Sequence, residues 1–534
     1  MLSLAFICLS CFLNLVGSIS KHPSVLVVSF DAFRYDFLNK SATPNLYALS
    51  QIGVRADYIR NIFPTKTFPN HFSIGTGVYA EDHGVLANHV FYNNRSHGYS
   101  YDLFHYNDDV VPIWTLNEKA GQGRHSGSMM WPGGEFAYQG VTPTHAVRYD
   151  QSFDWNKRVD VAISWFLNET APANLVMLYF EEPDFIGHRH GVDDPLFRDE
   201  IRHCDRTAKY LQDQLEAHNL HDKVNVFLLS DHGMVSVAQD RIIDLNKFAN
   251  FSRCDVVGTS PVMQISALAS LDPFTKRSVL NKTFGDLKFA ERSNGHFKVY
   301  MRDDIPDKFN YKHNSRVSDI LAVADVSYAF QDLYKTIEYY RTKENQTITP
   351  SSEFGVHGYS NFEPTMFPFF TAHGPALKRN VTVPPFDNVD LYPLFAYILR
   401  LPLPHGTPRY QLRGSLDHVS SMLAASMPSF GLSTLTIELL SFVLFMLMLC
   451  ASVIALSFWN NMICRRNNPR EGYERSGPAE ERESLIKVAP STSDTANLDS
   501  SSNTFQLDPS ELTVETRPLD LGSAYDVSNS LLPR

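Results

Sequence analysis

Residues 24–31 read SVLVVSFD, a continuous apolar and β-branched run that ends in a single carboxylate. Two further runs of strand length cover residues 174–180 and 224–230. Runs that are apolar at every position suit strands buried on both faces. Between the last two runs, residues 199–218 have the apolar spacing of a helix. This alternation predicts one α/β domain, residues 21–414, with a mainly parallel central sheet and helices on both faces.

Two apolar segments lie outside this predicted domain. Residues 2–16 are followed by small residues and predict a signal peptide over residues 1–20, although no Lys or Arg precedes them. Residues 439–459 carry no charge and are long enough to cross about 30 Å of hydrocarbon as a helix. Basic residues that follow this segment favour the cytoplasmic side. The alternatives are an uncleaved N-terminal anchor and a buried core helix.

Together these segments predict a single-pass type I protein of the plasma membrane. After the extracellular domain we expect a stalk (415–434), a transmembrane helix (435–460) and a disordered, acid-rich cytoplasmic tail (461–534). Seven Asn-x-Ser/Thr triplets fit this orientation, because all lie between the two apolar segments. We predict glycosylation at Asn39, Asn94, Asn168, Asn250, Asn281, Asn345 and Asn380.

Composition excludes some classes of protein. The chain has 534 residues, of which 43% are hydrophobic, which is enough for a sizeable core. The formal net charge of -11 argues against a nucleic-acid scaffold. Only Cys204 and Cys254 lie in the predicted extracellular domain, where an oxidising compartment permits a bridge. The sequence cannot show whether their separation allows one.

Polar residues follow each of the apolar runs. Because ligand sites of open α/β sheets lie beyond the carboxyl ends of the strands, we expect these residues to meet there. Three carboxylates and three imidazoles together suit zinc, with a bridged pair possible. Each residue alone has an ordinary alternative as a helix cap, a strand end or a turn histidine. The candidate ligands are Asp31, Asp184, His188, Asp231, His232 and His357.

The segment FPTKTFPNH, residues 63–71, contains a candidate nucleophile. Pro69 suits the first turn of a helix, which would place Thr67 at the helix N-terminus. Free backbone N–H groups at such an end attract a phosphate. A hydroxyl becomes a useful nucleophile when a metal ion lowers its pKa. The alternative is that Thr67 only caps the helix.

These segments resemble the ectonucleotide pyrophosphatase/phosphodiesterase family, within the alkaline phosphatase superfamily. The short type I membrane members, the fourth and fifth of the family, are the most similar. The resemblance covers about residues 24–400 in unbroken order. It is carried by the runs SFDAFR (29–34), PTKTFPNH (64–71), EEPD with GH (181–184, 187–188), SDHGM (230–234), HGY (357–359) and VYMRDDIP (299–306). Ala32 replaces a common Gly, and Ser360 stands where Asp is frequent.

The resemblance implies an alkaline-phosphatase-like fold, two Zn²⁺ per extracellular domain and a role for each motif. One zinc would be held by Asp184, His188 and His357, and the other by Asp31, Asp231 and His232 together with Thr67. Thr67 would be the nucleophile, forming a covalent phosphothreonine. Asn88 would bind the phosphoryl oxygens, and the aromatic pair Phe68 and Tyr179 would sandwich a nucleobase.

The resulting expectation is a zinc-dependent ectoenzyme that hydrolyses extracellular nucleotide pyrophosphate or phosphodiester bonds. Dinucleoside polyphosphates and NAD- or ATP-like molecules are the expected substrates. One alternative is a choline-phosphodiester or lysophospholipid hydrolase, since an aromatic pair can also face a quaternary ammonium. Another is a catalytically silent ectodomain used for adhesion or as a receptor.

Truncation tests the predicted topology. A chain that ends before Leu439 lacks the second apolar segment, so it should be secreted into the medium as a soluble glycoprotein. Immunoblotting of medium and membranes, with and without glycosidase treatment, measures this. If the truncated protein stays in the membrane fraction, the first apolar segment is an uncleaved anchor.

Overall fold

The computed structural model describes residues 19–92, 95–425 and 434–466. The described residues fall in two compact units, one within Met1–Phe430 and the other within Gly431–Leu519. Four predicted features lie wholly or mostly outside the described residues. They are the signal peptide, Asn94, the second half of the stalk and the cytoplasmic tail beyond residue 466.

Twenty strands and thirteen α-helices are found in the described residues, together with eight short 3₁₀ helices. The strands are β1 (Ser24–Phe30), β2 (Val54–Ala56), β3 (Ile59–Arg60), β4 (Val90–Tyr92), β5 (Arg95–His97), β6 (Ser126–Met129), β7 (His145–Val147), β8 (Leu175–Phe180), β9 (Val224–Leu229), β10 (Val235–Ala238), β11 (Ile242–Ile243), β12 (Cys254–Thr259), β13 (Val262–Ala267), β14 (Phe297–Met301), β15 (Ile320–Ala324), β16 (Ala329–Phe330), β17 (Glu353–Val356), β18 (Phe370–His373), β19 (Val381–Val383) and β20 (Phe386–Asp387). The helices are α1 (Pro44–Ile52), α2 (Thr67–Thr76), α3 (Ala80–His83), α4 (Tyr101–Phe104), α5 (Ile113–Lys119), α6 (Trp155–Phe166), α7 (Asp184–His190), α8 (Pro195–Ala217), α9 (Pro273–Asn294), α10 (Asp332–Lys343), α11 (Leu391–Ile398), α12 (Leu416–Val419) and α13 (Thr434–Arg466).

A central sheet of eight strands, in the order β19-β2-β18-β9-β1-β8-β6-β7, organises the first unit. Only β18 runs antiparallel to its neighbours, so the sheet is mixed but mainly parallel, as predicted. Every residue of β1, β8 and β9 is buried, which explains their continuous apolar runs. Helices α1, α6 and α8 form one packed layer, and α2, α5 and α11 form another.

The parallel register decides where the site forms. In β1, Ser29 pairs with Tyr179 of β8 on one side and with Leu229 of β9 on the other. The three strands therefore end at the same level. The polar residues that follow them enter one shared space at the carboxyl edge of the sheet.

A second sheet of four antiparallel strands, β12-β13-β15-β14, lies in the chain between β9 and β17. It has its own core of buried residues together with α9 and α10. A short antiparallel ladder, in which Val235 of β10 faces Val356 of β17, joins the end of β9 to the chain that returns from this insertion. The segment after β17 is thereby brought back to the central sheet.

Both thiols of the predicted cysteine pair are free. Cys204 Sγ lies 3.6 Å from the Glu182 carbonyl, and Cys254 Sγ lies 3.7 Å from Thr283 Oγ1. The permitted bridge is therefore not formed.

The second unit contains helix α13, which covers the apolar segment from which we predicted a membrane span. Among the described residues, no helix combines the length and the hydropathy that crossing a membrane requires. The predicted transmembrane helix is therefore not supported by the structure.

A buried ion pair fixes the chain between β8 and α7. Arg158 of α6 is fully buried and donates to the two carboxylate oxygens of Glu181, at 2.5 and 3.1 Å. It also donates to the carbonyl of Tyr179 at 3.3 Å. Because Glu181 directly follows β8, this pair anchors the segment that leads to Asp184.

Arg158→Ala tests this anchor. The substitution leaves Glu181 as a buried charge without its partner, and we expect it to lower the free energy of unfolding by about 3–5 kcal/mol. Denaturant unfolding followed by circular dichroism measures the loss. The control is Arg202→Ala, which breaks an exposed ion pair with Asp199 and should cost about 1 kcal/mol at most. Similar losses in the two variants would contradict the assigned role of the buried pair.

Candidate active site

Three carboxylates and three histidines meet beyond the carboxyl ends of β1, β8 and β9. Two groups of ligand atoms, each within 4.8 Å of one another, are formed by Asp31, Asp231 and His232 and by Asp184, His232 and His357. His188 adjoins the second group, with its Nε2 3.3 Å from Asp184 Oδ2 and 3.1 Å from His357 Nε2. All six predicted ligands are therefore brought together, and His232 lies between the two groups.

Local structure explains the position of each side chain. Asp31 follows β1 directly, and Asp231 and His232 form the turn between β9 and β10. Asp184 is the first residue of α7, so His188 lies one turn later on the same face, as its spacing predicted. His357 follows β17, and the β10–β17 ladder places its ring 3.7 Å from the ring of His232.

The imidazoles are held by their outer nitrogens. In each ring Nδ1 lies within 3.0 Å of a backbone carbonyl, an acceptor that fixes the N–H on this nitrogen. The Nε2 atom is then a lone-pair donor that faces the cluster. The pairs are His188 with Gly355 at 2.8 Å, His232 with Gly233 at 3.0 Å and His357 with Thr65 at 2.9 Å.

The carboxylates are held in the same manner. Asp31 Oδ2 accepts a hydrogen bond from the Tyr179 hydroxyl at 2.6 Å, and Asp231 Oδ1 accepts one from the backbone N–H of Ala32 at 3.2 Å. The other oxygens, Asp31 Oδ1, Asp231 Oδ2 and Asp184 Oδ1, are buried and have no hydrogen-bond partner. Such orphaned anionic oxygens are costly unless a cation neutralises them. This nitrogen and oxygen donor set fits a metal centre.

The pKa shifts of three candidate ligands also fit a site for a cation. Burial, followed by the charge of Asp231, raises the pKa of Asp31. Burial, followed by the charge of Asp184, raises the pKa of Asp231 to about 8. Burial lowers the pKa of His232 to about 3, so this histidine is neutral and supplies no positive charge. Asp31 and Asp231 therefore have no balancing charge from this histidine.

Thr67 is the first residue of α2, and Lys66 before it has the extended backbone of an N-cap. Thr67 therefore does not itself cap the helix. Its fully buried side chain places Oγ1 3.3 Å from His232 Nε2, at the boundary of the two ligand groups. Pro69 lies in the first turn, as predicted. The helix N-terminus thus presents a hydroxyl to the metal centre, with its partial positive charge behind it.

Asn88 and Phe68 are joined by a hydrogen bond beside Thr67. Asn88 Oδ1 accepts a hydrogen bond from the Phe68 backbone N–H at 3.0 Å, which leaves the amide N–H₂ as the donor side of this residue. Asn88 lines the same cavity as Asp184 and His357. This placement agrees with a predicted contact to phosphoryl oxygens.

Phe68 and Tyr179 line a second, largely aromatic cavity. Tyr99, Phe136 and Tyr149 complete its aromatic wall, and Glu135 and Arg148 add charged groups. The predicted aromatic pair therefore shares one cavity next to Thr67. Tyr179 also bonds to Asp31, a contact that the sequence did not reveal.

Two buried residues next to Thr67 were not predicted from the sequence. His71, one helical turn after Thr67, is fully buried, with Nδ1 2.9 Å from the Thr67 carbonyl and 3.4 Å from Asp231 Oδ2. Its spacing of four residues from Thr67 was the available signal. Lys66 is buried and donates to the Ser260 carbonyl of the inserted segment at 2.7 Å, a contact that only the tertiary structure shows.

Ala32 occupies a backbone conformation that favours glycine. Its φ is 60°, in the left-handed region, and its N–H donates to Asp231. The departure from the common Gly is therefore accommodated with some backbone strain, and the hydrogen bond to a ligand carboxylate is kept.

The predicted glycosylation sites are accessible at most described positions. Asn168 is half-buried, and five others are exposed: Asn39, Asn250, Asn281, Asn345 and Asn380. Glycosylation itself stays a prediction.

Known proteins share both sequence and fold with this chain. Residues 25–360 match the model of the type I phosphodiesterase/nucleotide pyrophosphatase family. A bis(5'-adenosyl)-triphosphatase of Xenopus laevis is 35% identical over 414 residues, covering 76% of this chain and 82% of the relative. Ectonucleotide pyrophosphatase/phosphodiesterase family member 5 of Homo sapiens is 34% identical over 427 residues, covering 78% of this chain and 82% of the relative.

Solved structures extend the similarity to the fold. Murine ectonucleotide pyrophosphatase/phosphodiesterase 5 matches with a TM-score of 0.65 and 34% identity, covering 75% of this chain and all of that chain. An inactive threonine-to-alanine variant of the murine protein, in complex with AMP, matches with a TM-score of 0.64 and 33% identity. The match covers 75% of this chain and all of that chain. The alkaline-phosphatase-like α/β fold with a mixed central sheet is thereby confirmed. The chain belongs to the ectonucleotide pyrophosphatase/phosphodiesterase family and is a hydrolase of phosphodiester and phosphoric anhydride bonds.

Proposed function

We propose that this protein is a zinc-dependent hydrolase of nucleotide pyrophosphate and phosphodiester bonds with Thr67 as its nucleophile. One observation carries the proposal. Three orphaned carboxylate oxygens and three imidazole Nε2 atoms form one cluster. The Thr67 hydroxyl, at a helix N-terminus, lies 3.3 Å from the Nε2 atom of His232 in this cluster. This arrangement suits two divalent cations and an anionic phosphoryl group.

One Zn²⁺ would be held by Asp184, His188 and His357, and a second by Asp31, Asp231 and His232. The two ions would supply positive charge for the phosphoryl oxygens and lower the pKa of the Thr67 hydroxyl. Thr67 Oγ1 forms a bond to phosphorus while the bond from phosphorus to the first product breaks. Water then cleaves the phosphothreonine ester and releases the second product, with Thr67 regenerated. The Asn88 amide donates to a phosphoryl oxygen throughout, because its carbonyl is already held by the Phe68 N–H.

The aromatic cavity supports a nucleotide substrate. A flat base would fill the space beside Phe68 and Tyr179, and stacking on an aromatic ring contributes about 1–3 kcal/mol per base. Relatives named bis(5'-adenosyl)-triphosphatases and the AMP complex of the murine protein support the same class. Dinucleoside polyphosphates and NAD- or ATP-like molecules are the substrates we propose.

A choline phosphodiester is the second candidate substrate, and one observation favours it. Glu135 places a carboxylate in the aromatic cavity, where a quaternary ammonium would gain both ion pairing and a cation–π contact of about 2 kcal/mol. Arg148 in the same cavity opposes this. Hydrolysis rates for a dinucleoside polyphosphate, NAD, ATP and glycerophosphocholine decide between the two candidates.

We also propose that this protein acts outside the cell. Supporting it are the sequons, which all lie between the two apolar segments of the chain, and the exposure of five of their asparagines. Extracellular nucleotides would then be the accessible substrates.

Thr67→Ala should abolish turnover and leave zinc bound. The substitution removes only the hydroxyl and the methyl group of Thr67, and the six Asp and His ligands remain in place. The inactive threonine-to-alanine variant of the murine relative supports this expectation. Phosphodiesterase assays and metal analysis of the purified protein measure the two quantities.

The matched control is Thr67→Ser, which keeps a hydroxyl at the same backbone position and should retain measurable activity. Wild-type turnover by Thr67→Ala would exclude Thr67 as the nucleophile. Loss of zinc together with activity in Thr67→Ala would instead show that its oxygen mainly supports the metal centre.

Phe68→Ala should weaken nucleotide hydrolysis selectively. Loss of the stacking surface should lower kcat/KM for a nucleotide by about tenfold or more, while a small aryl phosphodiester without a base is nearly unaffected. Tyr179→Ala is less informative, because it also removes the hydrogen bond to Asp31. The control is Phe289→Ala, which removes a ring that is 73% exposed on α9. Equal losses on both substrates in Phe68→Ala would refute base stacking.

A further inference from the structure

Tyr179 connects the aromatic cavity to one of the two metal-ligand groups. Its ring lines the cavity, and its hydroxyl donates a hydrogen bond of 2.6 Å to Asp31 Oδ2. The residue is only 2% exposed, so bulk water does not compete for this bond. One side chain thus touches both the space for a base and a carboxylate that would hold a metal ion.

The hydrogen bond decides which oxygen of Asp31 faces the ligand group. Oδ2 is held by Tyr179, and the Asp31 backbone N–H is held by the Phe180 carbonyl at 3.0 Å. Oδ1 has no hydrogen-bond partner and lies 3.3 Å from His232 Nε2. A hydrogen bond to a carboxylate at this length is strong. Without it the carboxylate can turn, and the ligand oxygen is no longer fixed before a metal ion arrives.

The ring of Tyr179 supports the same group through a second contact. It packs edge-on against His71, with ring centroids 5.1 Å apart and an interplanar angle of 86°. His71 in turn lies 3.4 Å from Asp231 Oδ2. The two contributions can be separated, because Tyr179→Phe keeps the ring contact and removes only the hydroxyl.

We infer that the Tyr179 hydroxyl is a positioning group that raises the zinc affinity of the group formed by Asp31, Asp231 and His232. The inference deepens the proposed function and rests on it for the identity of the metal. Tyr179 would then have two roles, one as a wall of the base cavity and one as the support of a ligand carboxylate.

A chelator challenge of the zinc-loaded protein tests this inference. Tyr179→Phe should lose one of its two zinc ions at a free-zinc concentration about 10- to 100-fold higher than the wild type does, with the other ion unaffected. Metal analysis after equilibration in zinc buffers measures both sites. Tyr99→Phe is the matched control, because it removes a hydroxyl from the same cavity that bonds to Glu135 instead of a ligand. Its zinc retention should match that of the wild type.

Activity provides a second readout. At limiting zinc, Tyr179→Phe should lose kcat equally on a nucleotide and on bis(p-nitrophenyl) phosphate, and excess zinc should restore both rates. In an Asp31→Ala background the same substitution should change zinc retention no further, because its partner is gone. A general loss of stability caused by Tyr179→Phe would persist in the Asp31→Ala background. The comparison therefore distinguishes such a loss from the loss of the hydrogen bond.

The outcomes separate the two proposals. Wild-type zinc retention by folded Tyr179→Phe overturns the inference and leaves the proposed function intact. Loss of nucleotide activity alone, with the aryl diester unaffected, also overturns it, because Tyr179 would then contact only the base. A wild-type protein that binds fewer than two zinc ions overturns the proposed function itself.

Discussion

The burial of three neighbouring carboxylates is the constraint on which this site depends. Asp31, Asp184 and Asp231 each keep one oxygen without a hydrogen bond, and burial and mutual charge raise the pKa of Asp31 and Asp231. An unpaired buried carboxylate costs several kcal/mol. The surrounding chain holds the outer oxygens and the outer imidazole nitrogens firmly, so the inner atoms stay directed at one another. A cation at the centre would offset this cost, and the same charge would serve the proposed chemistry.

The central sheet supplies the convergence of these ligands. Parallel β8, β1 and β9 end at one level, so the residues after them must meet. His357 is the exception, because it does not follow one of these strands. It lies after the inserted four-stranded sheet in the chain, and the short β10–β17 ladder places it beside the other ligands. Its ring then stacks 3.7 Å from that of His232. A ladder of a few residues thus completes a ligand group that the parallel strands alone would leave open.

Several residues in the site have two tasks each. Phe68 gives its backbone N–H to Asn88 and its ring to the aromatic cavity. Tyr179 gives its ring to the same cavity and its hydroxyl to Asp31. Through Tyr179, the aromatic cavity is connected directly to Asp31 of one ligand group. A substitution of either residue therefore needs a partner variant before its effect can be assigned to one task.

The sequence by itself determined the mainly parallel α/β fold, the six candidate ligands and the placement of Thr67 at a helix N-terminus. It could do so because each depends on local pattern: continuous apolar runs, polar residues at strand ends, a spacing of four between Asp184 and His188, and Pro69 in a first turn. The family resemblance added predicted roles for Asn88, Phe68 and Tyr179. Only the tertiary structure decided that His232 lies between the two groups, that Tyr179 holds Asp31, that buried His71 and Lys66 lie beside Thr67, and that Cys204 and Cys254 stay apart. These contacts join residues from separate strands, helices and the inserted sheet, and distances between such elements are set by packing and register, which no local pattern encodes.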